Sequence, residues 1–166
     1  WRSGAYRKAT VRRSQRWLGI KPGEPEVRLW GSPIDVDRAK SLRGYVHSVI
    51  SREKMLSAYS MDEASLHEYL RFCKRFKPKL LIAYPSALMI FAAFLEKQGA
   101  QLPSLRAISC SAETLYDHDR EYLARVLGAP VYNRYGCREV GDIANEVPDA
   151  DGLLVSSDRL YVEILN

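Results

Sequence analysis

Leu80-Leu81-Ile82-Ala83-Tyr84-Pro85-Ser86 is the stretch on which the fold turns. An unbroken apolar run from Leu80 to Tyr84 suits a strand buried on both faces, as in a parallel sheet. Pro85 then stands where a first helical turn tolerates proline. The residues that follow, through Leu88, Ile90, Phe91 and Phe94 to about Lys97, are apolar almost all round and predict a deeply buried helix. A buried strand handing over to a buried helix is one unit of a layered α/β fold.

The flanking sequence repeats that unit. Upstream, Leu66, Leu70, Cys73 and Phe76 set one helical stripe, introduced by Ser60 and Glu63 at capping-box spacing. Cys73 on that stripe reads as a small core residue. Before it, a helix from about Gly4 to Leu18 stops at Gly19 and the Lys21-Pro22-Gly23 turn. Glu26 to Trp30 reads as a short strand broken by Gly31-Ser32-Pro33, and Tyr45 to Ile50 as a further β-like run. Downstream come a strand at Leu105 to Ser109, a helix at Asp117 to Leu127 closed by Gly128, and a strand starting at Pro130 to Tyr132. Leu160 to Leu165 alternates like a strand in mid-sheet. The predicted class is α/β, with layered strand–helix alternation, a largely parallel sheet and a β-rich carboxyl-terminal end. An uncapped apolar strand at the end of a chain exposes an unpaired edge, so the sequence is expected to be a piece of something longer.

Composition narrows the function classes. The 166 residues are 46% apolar and 27% charged, which supports a folded core and excludes a disordered chain. The greasiest stretch, Leu80 to Leu95, falls short of the roughly 20 residues a membrane span needs. Cys73, Cys110 and Cys137 are too scattered for a disulfide scaffold or zinc ribbon, and His47, His67 and His118 add no metal-ligand spacing. A cytoplasmic protein is expected.

Charge is uneven. Residues 1–28 hold eight bases against Glu24 and Glu26, whereas the rest of the chain sums to −1. On a helix, Arg7, Lys8, Arg12, Arg13 and Arg16 could track phosphates, which makes a non-catalytic basic module binding polyanions through helix 4–18 one candidate. The plainer reading is a solvated face, with Ala5, Ala9 and Trp17 turned to the core. No interleaved aromatic pattern or recognition helix points to nucleic acid.

Two segments after strands carry the chemistry. Ser109-Cys110-Ser111-Ala112-Glu113-Thr114 offers small residues against which a flat ligand can lie. Asn133-Arg134-Tyr135-Gly136-Cys137-Arg138-Glu139-Val140-Gly141 joins an aromatic ring, a permissive glycine, two arginines and a carboxylate. A ring that stacks a base, a guanidinium for phosphate and a carboxylate for magnesium describe a nucleotide site. Taken alone, Tyr135 is an ordinary strand-end aromatic and Glu139 a salt-bridge partner for Arg134 or Arg138. Glu113 also has a plain role, capping the next helix by its charge.

Tyr135-Gly136-Cys137-Arg138-Glu139 resembles the tyrosine-glycine-x-threonine-glutamate motif of the adenylate-forming (AMP-binding) superfamily. The likeness is nearest to its phenylacetate–CoA ligase-like and capsular-polysaccharide-associated branch. Ser111-Ala112-Glu113, Ile143-Ala144-Asn145-Glu146, Gly152-Leu153 and Val162-Glu163-Ile164 fall in the same order as in that branch. The resemblance implies that the Ser111-Ala112-Glu113 backbone walls an adenine pocket, that Tyr135 beside Gly136 stacks on the base, and that Glu139 coordinates the magnesium of ATP. It places the Tyr84-Pro85-Ser86 turn near the carboxylic acid substrate. Arg138 stands where a hydroxyl usually faces the α-phosphate, a departure that matches the polysaccharide-associated relatives.

The implied activity is AMP-forming acid–thiol ligation. A carboxylate oxygen attacks the α-phosphorus of ATP and pyrophosphate leaves. A thiol, coenzyme A, then takes the acyl group and releases AMP. An enzyme of polysaccharide biosynthesis with a non-CoA acceptor is the alternative within the family. The glycine-rich phosphate loop, the ribose-binding aspartate motif and the lysine-bearing lid domain of the family are not in this sequence. The expectation is therefore residues 1–166 as a central portion of the large domain, inert alone, with a homodimer possible for the whole enzyme.

Overall fold

The computed structural model describes residues 2–31, 49–137 and 139–164. Its elements are α1 (Arg2–Trp17), β1 (Glu26–Trp30), β2 (Glu53–Ser57), α2 (Glu63–Phe76), β3 (Leu80–Ala83), α3 (Pro85–Lys97), β4 (Ala107–Ser111), α4 (Asp117–Leu127), β5 (Val131–Cys137), β6 (Gly141–Asn145) and β7 (Leu154–Val155). The seven strands form one sheet in the order β2-β1-β3-β4-β5-β6-β7. Neighbours from β2 to β5 are parallel, and β6 and β7 add antiparallel. The α/β class and the β-rich end expected from the sequence are both present.

Chain order and sheet order disagree at one place. From β1 the chain moves out to β2, then returns to the other side of β1 as β3. In open parallel sheets such a switch point splays the connections apart and leaves a crevice at the carboxyl ends of the strands.

The two faces of the sheet are built differently. Val27, Leu29, Leu81, Ala83, Ile108, Cys110 and Val131 point to the side covered by α2, α3 and α4, where Leu66, Leu70, Leu88, Phe91, Leu95, Leu123 and Leu127 complete an apolar core. Each large side chain fully buried there contributes about 1.5–3 kcal/mol. Burial leaves the Cys73 and Cys110 thiols with pKa values pushed up to about 12, so both are inert hydrophobes. The opposite face carries only a small cluster of Ile20, Leu80, Ile82 and Ala107 beneath α1.

Caps account for the helix boundaries. Asp62 accepts from the Ser65 backbone N–H at 2.8 Å to start α2, and Lys77, in the left-handed region at φ 53°, ends it. The cap is thus Asp62 and not Ser60 with Glu63, because Asp62 directly precedes the first helical residue and its carboxylate reaches the free N–H of the first turn. α4 ends on Gly128 at φ 69°, as the sequence predicts.

Several expectations are corrected. Tyr45 to Ser48 lie outside the described residues, while Val49 and Ile50 are helical, and the strand at this edge is Glu53–Ser57. Its polar Glu53 and Lys54 hide it from a hydrophobicity scan, since an edge strand covers one face only. Leu160 to Ile164 form no strand, and Tyr161 and Ile164 stand 88% and 93% exposed. Alternation alone does not make a strand where no described neighbour pairs with it. In α1, Ala5 and Ala9 are exposed; the buried positions are Thr10 and Ser14. Their hydroxyls bond back to the Tyr6 and Val11 carbonyls, which lets polar residues pack inward.

Candidate functional site

At the carboxyl ends of the parallel strands, on the sparsely covered face, lies a cleft of about 460 Å³. It sits at the switch point. Trp30 closes β1 and Tyr84 follows β3, and their rings stack with centroids 4.3 Å apart and planes 26° off parallel. Arg28, Met55 and Ile82, side by side in the β1, β2 and β3 register, form the floor. Ser111 and Ala112 from β4, and Arg134, Gly136 and Cys137 from β5, form the opposite wall.

The cleft is electrostatically prepared. Arg28 is held by Glu26, with Nε donating to Oε1 at 2.7 Å, and Gln15 donates to the second oxygen at 2.6 Å. Burial raises the Glu26 pKa above the usual carboxylate range, with Arg28 opposing the shift. Arg134 meets the buried Asp142 at 3.4 Å across the β5–β6 pair, and its buried Nε has no hydrogen-bond partner. The Arg28 and Arg134 guanidiniums in the lining give the cleft a positive character that suits an anionic ligand.

A second, adjoining hollow of about 270 Å³ lies around Tyr84, Ser86, Ile90 and Glu113. Here Glu113 accepts from the Ser86 backbone N–H and hydroxyl, both at 2.9 Å. Tyr84 at the start of α3 makes no side-chain cap of its own. Glu113 therefore caps α3, the preceding helix in sequence, and not the one that follows it. The long reach depends on Ala112, a non-glycine residue at φ 71°. Such a conformation costs on the order of 1–2 kcal/mol and marks a turn that its surroundings enforce.

The expected site residues are thus partly brought together. Tyr84, Ser111, Ala112 and Gly136 line the cleft; Pro85 and Ser86 open α3 beside it, clasped by Glu113. Tyr135 lines neither hollow. In a strand, neighbours alternate faces, so Tyr135 points away from Arg134 and Gly136 and is 58% exposed. Glu139 is exposed in the turn before β6, and Arg138 lies outside the described residues. Asn133 to Cys137 are not a loop but strand β5, paired with β6 through a bulge at Tyr135 and Gly136. Gly136 is demanded by that pairing: a Cβ there would stand 2.6 Å from the Gly141 carbonyl oxygen.

The sequence reading missed Trp30, Arg28 and Met55, which belong to the cleft only because β2, β1 and β3 lie side by side. It also did not single out Asp142, which becomes a neighbour of Arg134 through strand pairing. Behind the wall, Arg120 holds Glu146 in a two-pronged pair at 2.7 and 2.8 Å, and Glu146 also accepts from Asn133 N at 2.6 Å. Burial opposes the Glu146 charge, but these donors outweigh it and its pKa is lowered. Among the described residues no three His, Cys, Asp or Glu side chains gather to hold a metal ion. No described helix is long and apolar enough to cross a membrane.

No family model matches the chain. Protein CapK of Staphylococcus aureus is 26% identical over 122 residues, which is 73% of this chain and 27% of that protein. Among solved structures, 2-hydroxyisobutyryl-CoA ligase in complex with 2-HIB-AMP and CoA superposes with a TM-score of 0.67 at 16% identity, over 92% of this chain and 32% of that one. ATP-bound MatB from Rhodopseudomonas palustris gives 0.59 at 17% identity, over 89% and 27%. This chain thus spans about a quarter to a third of the length of these relatives. Over the part it covers, the chain has the fold of these two solved structures.

Proposed function

We propose that this chain is the central portion of the large domain of an AMP-forming carboxylic acid ligase. The whole protein would activate an aryl acid with ATP and pass the acyl group to coenzyme A. The observation that carries the reading is the cleft itself. Motif residues far apart in sequence, Tyr84, Ser111–Ala112 and Gly136, converge there at a sheet switch point beside Arg28 and Arg134. Relatives of the same fold hold an acyl-AMP with CoA or ATP, which supports a nucleotide ligand.

The chain's own residues fit that ligand class. The stacked Trp30–Tyr84 wall offers a flat apolar surface to an aryl acid. Arg134 in the cleft wall would place positive charge beside developing phosphate charge, and the Asp142 beside it fixes the guanidinium in place. Adenine would lie at the rim between Tyr135 and the Ser111-Ala112-Glu113 backbone, with its phosphates crossing towards Arg134. Glu139 is the carboxylate nearest in sequence to that path and would hold the magnesium that arrives with ATP; the ion supplies charge neutralisation. Arg138 would contact the α-phosphate. Glu113, by capping α3, holds the acid side of the cleft against the nucleotide side. A cytoplasmic homodimer is part of the same reading of the whole enzyme.

Acid-dependent exchange of pyrophosphate into ATP by the full-length protein tests it. We expect exchange with an aryl acid, and a loss of about a hundredfold on Arg134→Met, the usual size for one preorganised charge donor. No acid-dependent exchange across a panel of aryl and alkyl acids overturns the reading. Exchange without CoA-dependent AMP release would instead select the non-CoA acceptor of polysaccharide biosynthesis.

A further inference from the structure

The same face of the sheet carries a second concavity, a groove of about 280 Å³ between α1, the Lys21-Pro22-Gly23 turn and the amino ends of β1 and β2. Arg7, Lys8, Arg12 and Lys21 line it. Lys8 and Arg12 are one helical turn apart, so their charges stack along one edge, and both are exposed. Neither has an ion-pair or hydrogen-bond partner among the described residues. The groove's carboxylates are otherwise occupied. Glu24 pairs with Arg106 and accepts from the Lys21 backbone N–H at 2.8 Å. Glu26 is taken by Arg28 and Gln15. Glu53 is the third carboxylate among the described lining residues.

The groove is separate from the cleft but touches it. Arg28 lines both. Trp30 at the cleft and Glu26 at the groove lie about 13 Å apart along β1. The chemistry of the groove is nevertheless distinct: it has no stacking wall and more basic than acidic side chains.

We propose that this α1 groove is a binding site for a small molecule bearing two or more phosphate groups. Several bases around one concavity call for a multiply charged anion, because a single carboxylate would leave most of them without a partner. Concavity argues for a compact one, since a short polyphosphate can meet Lys8, Arg12 and Lys21 together at the groove's exposed edge, whereas a nucleic acid strand spaces its charges beyond it. The proposal does not depend on the ligase reading, since none of its unpaired bases lines the cleft.

Titration of the full-length protein with inorganic tripolyphosphate tests it, with excess AMP present so that a nucleotide site in the cleft is not what is measured. We expect binding that Lys8→Gln/Arg12→Gln weakens at least about tenfold, as loss of two charge-assisted contacts implies. Arg12→Gln alone should give an intermediate loss. Lys74→Gln/Arg75→Gln, an equal charge change on the exposed side of α2, should leave affinity within about twofold. The urea midpoints of all these variants should match the parent, separating lost binding from lost folding. No binding, equal loss in both double variants, or tighter binding of a thymidine oligonucleotide than of tripolyphosphate overturns the proposal.

Discussion

The two faces of this sheet share strands but not purposes. On the side of α2, α3 and α4, side chains from five strands and three helices close into one apolar core in which Leu88, Leu95, Ile108 and Leu123 have no exposed surface. On the side of α1, a small apolar cluster gives way at one end to a cleft lined by Arg28 and Arg134 and at the other to a basic groove. The buried charges on this second face are held by partners: Glu26 by Arg28 and Gln15, Asp142 by Arg134 and Ser14. The contrast teaches that stability and chemistry are divided between the faces. A closed face can hold the strands rigid while the open one keeps buried charge whose cost would otherwise unfold it.

Substitutions can break or sharpen that division. The largest effect is expected on the closed face, where Leu88→Ala should cost about 2–5 kcal/mol, read from denaturant unfolding. A cost under about 1 kcal/mol would mean that the core is not where the stability resides. Next is the seam behind the cleft wall. Arg120→Met leaves the half-buried Glu146 without its cation and should cost about 1–3 kcal/mol at neutral pH.

The smallest effect is a difference of sign with pH. The folded-state pKa of Glu146 is lowered, so its contribution is present above the ordinary carboxylate range and is lost as pH falls through the folded value. That of Glu26 is raised, so its contribution is present below that range and is lost as pH rises through the folded value. Between pH 4 and 7, Glu26→Gln should make stability climb more steeply with pH than in the parent, and Glu146→Gln less steeply. Urea midpoints across that interval decide it, and two slopes changing in the same direction would refute the assignment of buried charge to the α1 face.

Much of this was legible in one dimension. The runs Leu80–Ala83 and Pro85–Lys97, the helix Asp117–Leu127 and the strand Glu26–Trp30 were read within a residue or two, because burial on both faces and helix punctuation are local signals. β2 was missed and the Leu160 segment over-read for one reason. An edge strand is defined by its neighbour, and alternation without a neighbour is only a pattern. In the candidate site, Ser111, Ala112 and Gly136 were picked by motif and do line the cleft, whereas Tyr135 was picked with them and faces the other way. Pleating decides that, because adjacent residues of a strand point to opposite faces.

The sequence by itself determined the class of the fold, the closed face and the small residues beside the cleft, since these follow from the order and periodicity of apolar side chains. Tertiary structure alone decided that β1 lies between β2 and β3, and with it that Trp30 stacks on Tyr84, that Arg28 floors the cleft and that Glu113 caps the helix opened by Pro85. It also decided that Asp142, across the β5–β6 pair, meets Arg134. These contacts join residues that are distant in the chain, and such pairs are fixed by strand order and register, which local spacing does not encode.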